Sequence, residues 1–413
     1  MGGCGNVGYQ GGTKVGSRKR TLTGRRLVAI ALAVGATAAS SKVSAGSYGE
    51  NYNAKPALLK KALGTTTNVP PVIQAAVYRA GIPFAGAKLQ LAIKCWKTSP
   101  CDTGTGGKMS VALADGFGDN VWREITHMEF VLQALTYPQI GKIYYTNGHA
   151  NTQKQISDFK GLIAQKPDVI VGFPDAGAAM LPSIKQATAR GILYIPYLNP
   201  IGTPGKDYLT VVAEDLCQLG KSFAQILNTN VKSGKVVFLG GTPGNGLSKA
   251  WQSCEKPALS KSIQLVGTAD TNWTREGTLK AMSGFLSKYP DLKGVSYEYA
   301  DGFLGGIRAY QAAHKPINLV LTLRTDENDL FCEWKKINNP NFKVFYASGG
   351  GFDSRISLTA GMMKLAGAKI APNVVVPDAI HRLTTSACDP SLPGQAPATT
   401  LVPRNVLSAM YHK

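Results

Sequence analysis

No acidic residue precedes Glu50 in this 413-residue chain, and no apolar run in it is long enough to cross a bilayer. The first absence makes the N-terminus wholly basic. Lys14, Arg18, Lys19, Arg20, Arg25 and Arg26 lead into a short apolar stretch over 27–34. Val43-Ser44-Ala45 fits signal-peptidase cleavage, with Ala36-Thr37-Ala38 as a second candidate. Residues 1–45 therefore read as a secretory signal peptide, cleaved near Ala45. Arg25-Arg26 leaves the twin-arginine route open, but little else of that signal is present and Sec-type export fits better. No Cys lies directly after the apolar run, which argues against a lipid anchor.

A Cys-x-x-Cys pair is also missing, and the five His show no metal-ligand spacing, so no metal site is expected. Seven Cys are present, of which Cys4 leaves with the signal. The even remainder suits disulfides in an oxidising compartment, although six Cys allow 15 connectivities. Cys95 and Cys101 would close a small loop around Ser99-Pro100. Cys217 and Cys254 lie on two predicted helices that can be neighbours, leaving Cys332 and Cys388. Loss of Lys42 and the six cations above brings the formal charge from +20 to +13. The remaining lysines are scattered with no dense basic run. They read as a solvated surface, and no nucleic-acid partner is expected.

About 365 mature residues suggest two lobes. Residues 46–106 read as an N-terminal extension packed on the first lobe, with a helix near 72–80. A Thr/Gly-rich boundary follows at 103–107. Strands are then expected at 109–114, 142–146, 168–172 and 193–198, alternating with helices at 120–135, 152–165 and 177–190. After 208–212 the alternation resumes, with strands at 235–240, 263–269, 294–299, 318–323 and 343–347. The helices of this series fall at 216–228, 247–259, 275–288 and 302–313. Short strands apolar on both faces belong to parallel sheets covered by helices. Two such series make an α/β protein of two doubly wound parallel-sheet lobes. Residues 107–212 and 349–375 are assigned to the first lobe, 213–348 and 376–400 to the second, and 401–413 to a C-terminal tail.

Enzyme motifs are absent as well. The glycine-rich stretch 240–246 follows a strand like a phosphate loop, but lacks the Gly-Lys-Ser/Thr ending and carries Pro243. Gly246-Leu247-Ser248-Lys249-Ala250 falls short of a nucleophile elbow. Asp270-Thr271-Asn272 lacks the turn Gly and terminal Glu of a calcium loop. His127 follows the helix pattern as a surface or packed residue. No catalytic constellation and no cofactor is expected.

What is present is Asp115-Gly-Phe-Gly-Asp-Asn-Val-Trp122, a strand-to-helix turn at the ligand-facing end of a sheet. Asp119 or Asn120 can cap the helix, whose free N–H groups face the ligand side. Trp122 offers either a flat face to a sugar-like ring or a core anchor beneath an ordinary turn.

Over roughly residues 107–385 the order of segments resembles the type I periplasmic solute-binding proteins of sugar ABC importers, the ribose/galactose-binding kind. The resemblance is carried by Gln155-Ile-Ser-Asp-Phe159 with Leu162-Ile-Ala-Gln165 and Pro167-Asp-Val-Ile-Val171. Gly234-Lys-Val-Val237 with Gly240-Gly-Thr-Pro-Gly244 adds to it, as does Tyr289-Pro-Asp-Leu-Lys-Gly-Val295 followed by Gly305 and Ala309. It implies three crossings between the lobes, near 212–214, 348–350 and 374–376. It also implies cleft residues. Asn120 matches a hydrogen-bonding polar residue, and Trp122 and Trp273 match stacking aromatics. Asn199 falls where an Asp is frequent, Trp251 at an Arg position, Tyr299 at an Asn position, Arg324 at an Asp position and Ser348 at a Gln position. These departures argue against plain ribose recognition. A ring-rich pocket would favour a larger, less polar solute, and Arg324 without an obvious carboxylate partner an acidic one.

The resemblance further implies a monomeric, periplasmic, non-enzymatic importer component that closes on a sugar-like solute and presents it to a membrane permease. Two rivals remain. An exported carbohydrate-active enzyme would need paired cleft carboxylates; Asp175 and Asp301 come nearest and read more simply as helix caps. A ligand-sensing lobe for a chemoreceptor or kinase would share the binding physics.

Overall fold

The computed structural model describes residues 53–411; the expected signal peptide lies outside them. Helices α1 (Pro56–Leu63), α2 (Pro71–Ala80) and α3 (Ala87–Lys97) come first, followed by β1 (Cys101–Asp102). The first βα series runs β2 (Met109–Asp115), α4 (Val121–Ala134), β3 (Ile140–Asn147), α5 (Thr152–Gln165), β4 (Val169–Phe173), a 3-10 turn (Gly177–Met180), α6 (Leu181–Ala189) and β5 (Leu193–Pro196). Short β6 (Val211–Ala213) leads to α7 (Leu216–Asn230), β7 (Gly234–Gly240), α8 (Gly246–Ala258), β8 (Ile263–Asp270), α9 (Arg275–Lys288), β9 (Gly294–Tyr297), α10 (Phe303–Ala312) and β10 (Val320–Leu323). Then come α11 (Asn328–Ile337), β11 (Lys343–Tyr346), α12 (Asp353–Leu365), β12 (Asn373–Val375), β13 (His381–Arg382) and α13 (Arg404–Tyr411).

Two sheets result. One has the order β1-β3-β2-β4-β5, the other β13-β11-β10-β9-β7-β8. Both are parallel except for a short antiparallel strand at one edge, β1 and β13. The first sheet buries both faces, as its continuous apolar strands require. Val111, Leu113 and Val171 pack with Ile125, Met128 and Leu132 of α4 and Ile356 of α12. Ala112, Ile170 and Tyr194 face Phe159 and Ile163 of α5. Phe238, Leu239, Val295 and Leu321 form the corresponding interior of the second sheet.

The chain passes between the lobes at the three expected places. β6 and β12 pair in parallel, and residues 347–352 join β11 to α12. A fourth passage was not foreseen. After β13, Asp326 accepts from the backbone N–H and hydroxyl of Thr399, both at 2.8 Å. The chain then returns to the first lobe, where the backbone N–H groups of Leu401 and Val402 donate to Glu129 at 2.6 and 3.0 Å. The expected tail is thus partly the helix α13, with Val406 and Leu407 buried and packing on α3. Helix α2 lies against α4 and α12, with Arg79 donating to the Thr136 carbonyl at 2.9 Å.

Disulfides join Cys95 to Cys101, Cys217 to Cys254 and Cys332 to Cys388. The second ties α7 to α8; the third fastens α11 to the segment after β13. Among the described residues no helix is long and apolar enough to cross a membrane.

Candidate functional site

The C-terminal ends of β2, β4, β7, β9 and β10 converge on a small cavity of about 30 Å³ between the lobes. Asn120, Trp122, Arg123 and Phe173 line it from the first lobe; Leu247, Trp273, Glu298, Tyr299, Arg324 and Thr325 line it from the second. Five sequence-derived candidates therefore meet here: Asn120, Trp122, Trp273, Tyr299 and Arg324.

Asn120 caps α4, its side chain accepting from the Arg123 backbone N–H at 2.9 Å. Asp119 instead accepts from Asn147 and bonds His149 Nδ1, each at 2.8 Å. In the first turn of the helix, Trp122 donates through Nε1 to the Gly349 carbonyl at 3.2 Å, a contact from α4 to a hinge crossing. Phe173 bridges the ring system. It stands edge-on to Trp122 at 6.5 Å and to Trp273 at 6.2 Å. Trp273 follows β8 in a left-handed conformation, with φ near 49°, next to Asn272 at 52°. Bulky side chains adopt that region at a cost, and such strain gathers at functional sites. The indole lies flat on Gly241, where an added Cβ would come within 2.0 Å of Trp273 Cε2. The glycine stretch that suggests a phosphate loop therefore seats an aromatic ring at this position.

Arg123 was missed. Its guanidinium lies 3.7 Å from the Phe173 centroid and pairs with Asp115 at 2.7 Å and Asp175 at 2.9 Å. Asp175 is thus an ion-pair partner and not the simple helix cap expected, and burial pushes its carboxyl up to about 7. Asp301 departs in the same way, pairing with Arg275. A cation in the first turn of a helix opposes the helix dipole, and that was the available signal for Arg123.

Glu298 was missed too, and it supplies the cleft carboxylate that the sequence reading lacked. Oε1 accepts from Trp251 Nε1 and Oε2 from Trp273 Nε1, both at 2.7 Å. Burial raises its pKa, opposed by those donors, by Ser248 and by Arg324. An acidic residue between two tyrosines at the end of an apolar strand was the signal. Arg324 has the partner the sequence did not disclose, since its Nε donates to Glu214 at the first crossing. That removes the basis for reading Arg324 as the receptor of an acidic solute.

Three candidates stand outside the cavity. Trp251 is fully buried between Phe223 and Phe238, with centroids at 5.8 and 5.7 Å, so it is a core residue that reaches the cleft only through Glu298. Asn199 is buried and donates to the Pro174 carbonyl at 3.0 Å. Ser348 sits at a crossing, its N–H donating to Asp378 at 2.8 Å and its carbonyl accepting from Thr399. His127 is packed, stacked on Tyr145 at 3.6 Å, and burial holds its pKa down to about 3. Among the described residues no cluster of His, Cys, Asp or Glu is arranged to hold a metal ion.

Two doubly wound lobes, crossings that include the β6–β12 pair and the 347–352 segment, and an aromatic-lined cavity between the lobes define a periplasmic binding protein of type I architecture. Residues 112–328 match the periplasmic binding protein domain, and the chain belongs to that family. It is 24% identical over 180 residues to the ribose import binding protein RbsB of Bacillus subtilis, covering 43% of this chain and 58% of the relative. It is 25% identical over 152 residues to the D-xylose-binding periplasmic protein of Escherichia coli, covering 35% and 46%. The match thus spans about half the length of these relatives. Among solved structures, the arabinose ABC transporter binding component of Shewanella sp. ANA-3 superposes with a TM-score of 0.61 at 18% identity, covering 68% of this chain and 93% of that one. The fructose binding periplasmic domain of a hybrid two component system gives 0.60 at 19% identity, covering 68% and 92%.

Proposed function

We propose that this chain is an extracytoplasmic binding protein that captures a sugar or sugar-like solute between its lobes and delivers it to the membrane permease of an ABC importer. The observation that carries this reading is the cavity itself, lined from both lobes by ring faces and a few polar groups. A ligand that touches both lobes stabilises the closed arrangement over the open one and shifts the population towards closure. Trp122, Phe173 and Trp273 supply apolar faces, while Asn120, Glu298 and Arg324 supply hydrogen bonds. Each buried ligand hydroxyl must find such a partner, which gives selectivity. The relatives that share sequence are binding proteins, named for ribose and D-xylose. The basic, then apolar, N-terminal stretch supports export to the periplasm, and the protein is proposed to act as a monomer. A sensory role is a second reading, favoured by the fold neighbour from a hybrid two component system.

Thermal melting against pentoses, hexoses, polyols, oligosaccharides and sugar acids tests the proposal. A ligand bound only by the folded state adds about 3–4 kcal/mol at 100 to 1,000 times Kd. A clear Tm rise with one class, with no turnover of that compound, is expected. No shift across the panel would overturn the carbohydrate reading.

A further inference from the structure

Glu298 meets the cavity with its orientation fixed from behind. Its two oxygens each accept an indole N–H, from Trp251 and Trp273, both at 2.7 Å. Two accepting oxygens are the bonding pattern of a carboxylate, since a protonated acid gives one position over to donation. A carboxylate offers about four acceptor positions, so the two indole donors leave it capacity for a ligand hydroxyl. Arg324 lies close enough to act on Glu298 electrostatically. Its Nε is committed to Glu214, while Nη2 is buried and has no hydrogen-bond partner among the described residues. The cavity thus carries an acceptor and a spare donor from adjacent strand ends.

We propose that Glu298 sets the charge specificity of the cleft: with the free Arg324 Nη2 it takes an uncharged ligand hydroxyl and rejects anionic ligands of the same shape. The inference rests on the sugar-binding reading above. A hydroxyl serves both groups at once, donating to the carboxylate and accepting from the guanidinium. An anionic ligand finds no cation whose charge is not already paired. Arg123 is held by Asp115 and Asp175, and Arg324 by Glu214, which leaves Glu298 as excess negative charge in the lining. Like charges brought together in a desolvated site cost far more than one extra N–H contact returns. Trp251 is a positioning residue in this scheme, acting on the ligand only through Glu298.

Titration calorimetry on the full chain with D-galactose against D-galacturonate, and D-glucose against D-glucuronate, tests the inference. A neutral sugar is expected to bind at least 100-fold more tightly than its acid. Glu298→Gln should narrow that ratio at least tenfold, a change of preference that a merely structural residue would not produce; its unliganded melt checks the fold. The wild-type ratio stands whether or not the variant folds. An acid that binds within tenfold of its neutral partner, or better than it, overturns the inference and leaves sugar binding intact. If no sugar in either series or in the wider melting panel binds, the sugar-binding reading falls and the role of Glu298 falls with it.

Discussion

Replacing Trp273 with Ala tests the aromatic face of the cleft. The indole is 7% exposed, stands edge-on to Phe173 at 6.2 Å and donates to Glu298 at 2.7 Å. Truncating a buried Trp to Ala costs about 3–5 kcal/mol, and one face of this ring borders the cavity, so about 3 kcal/mol is the packing loss. Removing a donor from a buried carboxylate adds about 1.5 kcal/mol. A loss near 4–5 kcal/mol lies within typical domain stability and lowers Tm by roughly 6 °C without unfolding the protein at 20 °C. Trp273→Gly should recover up to about 1 kcal/mol over Ala, because only Gly accepts the left-handed backbone without strain. Loss of ring stacking should weaken sugar binding by about 2 kcal/mol, or ~30-fold. Urea denaturation and calorimetric titration of both variants check these figures. An unchanged Kd in a folded Trp273→Ala protein would remove the residue from the site. A Gly variant no more stable than Ala would refute the strain argument.

Gly241→Ala should abolish the indole's seat, since the new Cβ would lie 2.0 Å from Trp273 Cε2. The expected cost is about 1–3 kcal/mol of stability together with most of the sugar affinity, read by the same two assays. Glu129→Ala should destabilise by about 3–5 kcal/mol in denaturant melts, because it strands the buried Arg355 guanidinium and releases the backbone N–H groups of Leu401 and Val402. A loss under 1 kcal/mol would contradict the assigned contacts. Stability should also fall as pH rises from about 5 to 8. Burial pushes the carboxyls of Asp326 and Asp378 up to about 7, whereas unfolded they titrate near 3.9. In that window the folded state holds more protons, so this contribution is complete at low pH and lost through about 7. Asp378→Asn should flatten the Tm–pH profile, and a Tm that climbs from pH 5 to 8 would contradict the shifts.

The alternating strands and helices were legible because period and apolar runs are local. Helices α5 and α9 fall on the residues expected. Helix α12 was invisible for a physical reason. Every residue from Asp353 to Met362 is buried, including Asp353 and Arg355, so the helix has no polar face to set a period. The turn after β2 brings Trp122 to the cavity lining, because a strand-to-helix junction places its residues at the sheet's ligand-facing end. Trp251 misled, since an aromatic at a cleft position in the chain order turned inward between Phe223 and Phe238. Arg324 misled because its partner Glu214 is 110 residues away, beyond the reach of any local pattern.

A sugar-like solute is proposed to bind in the cleft lined by Trp122 and Trp273. This central proposal is tested most directly by tryptophan fluorescence titration with the sugar that gives the largest melting shift. A saturable one-site change is expected that weakens at least tenfold in Trp122→Ala and in Trp273→Ala. A ligand that saturates with the same Kd in all three proteins would place binding elsewhere and contradict it.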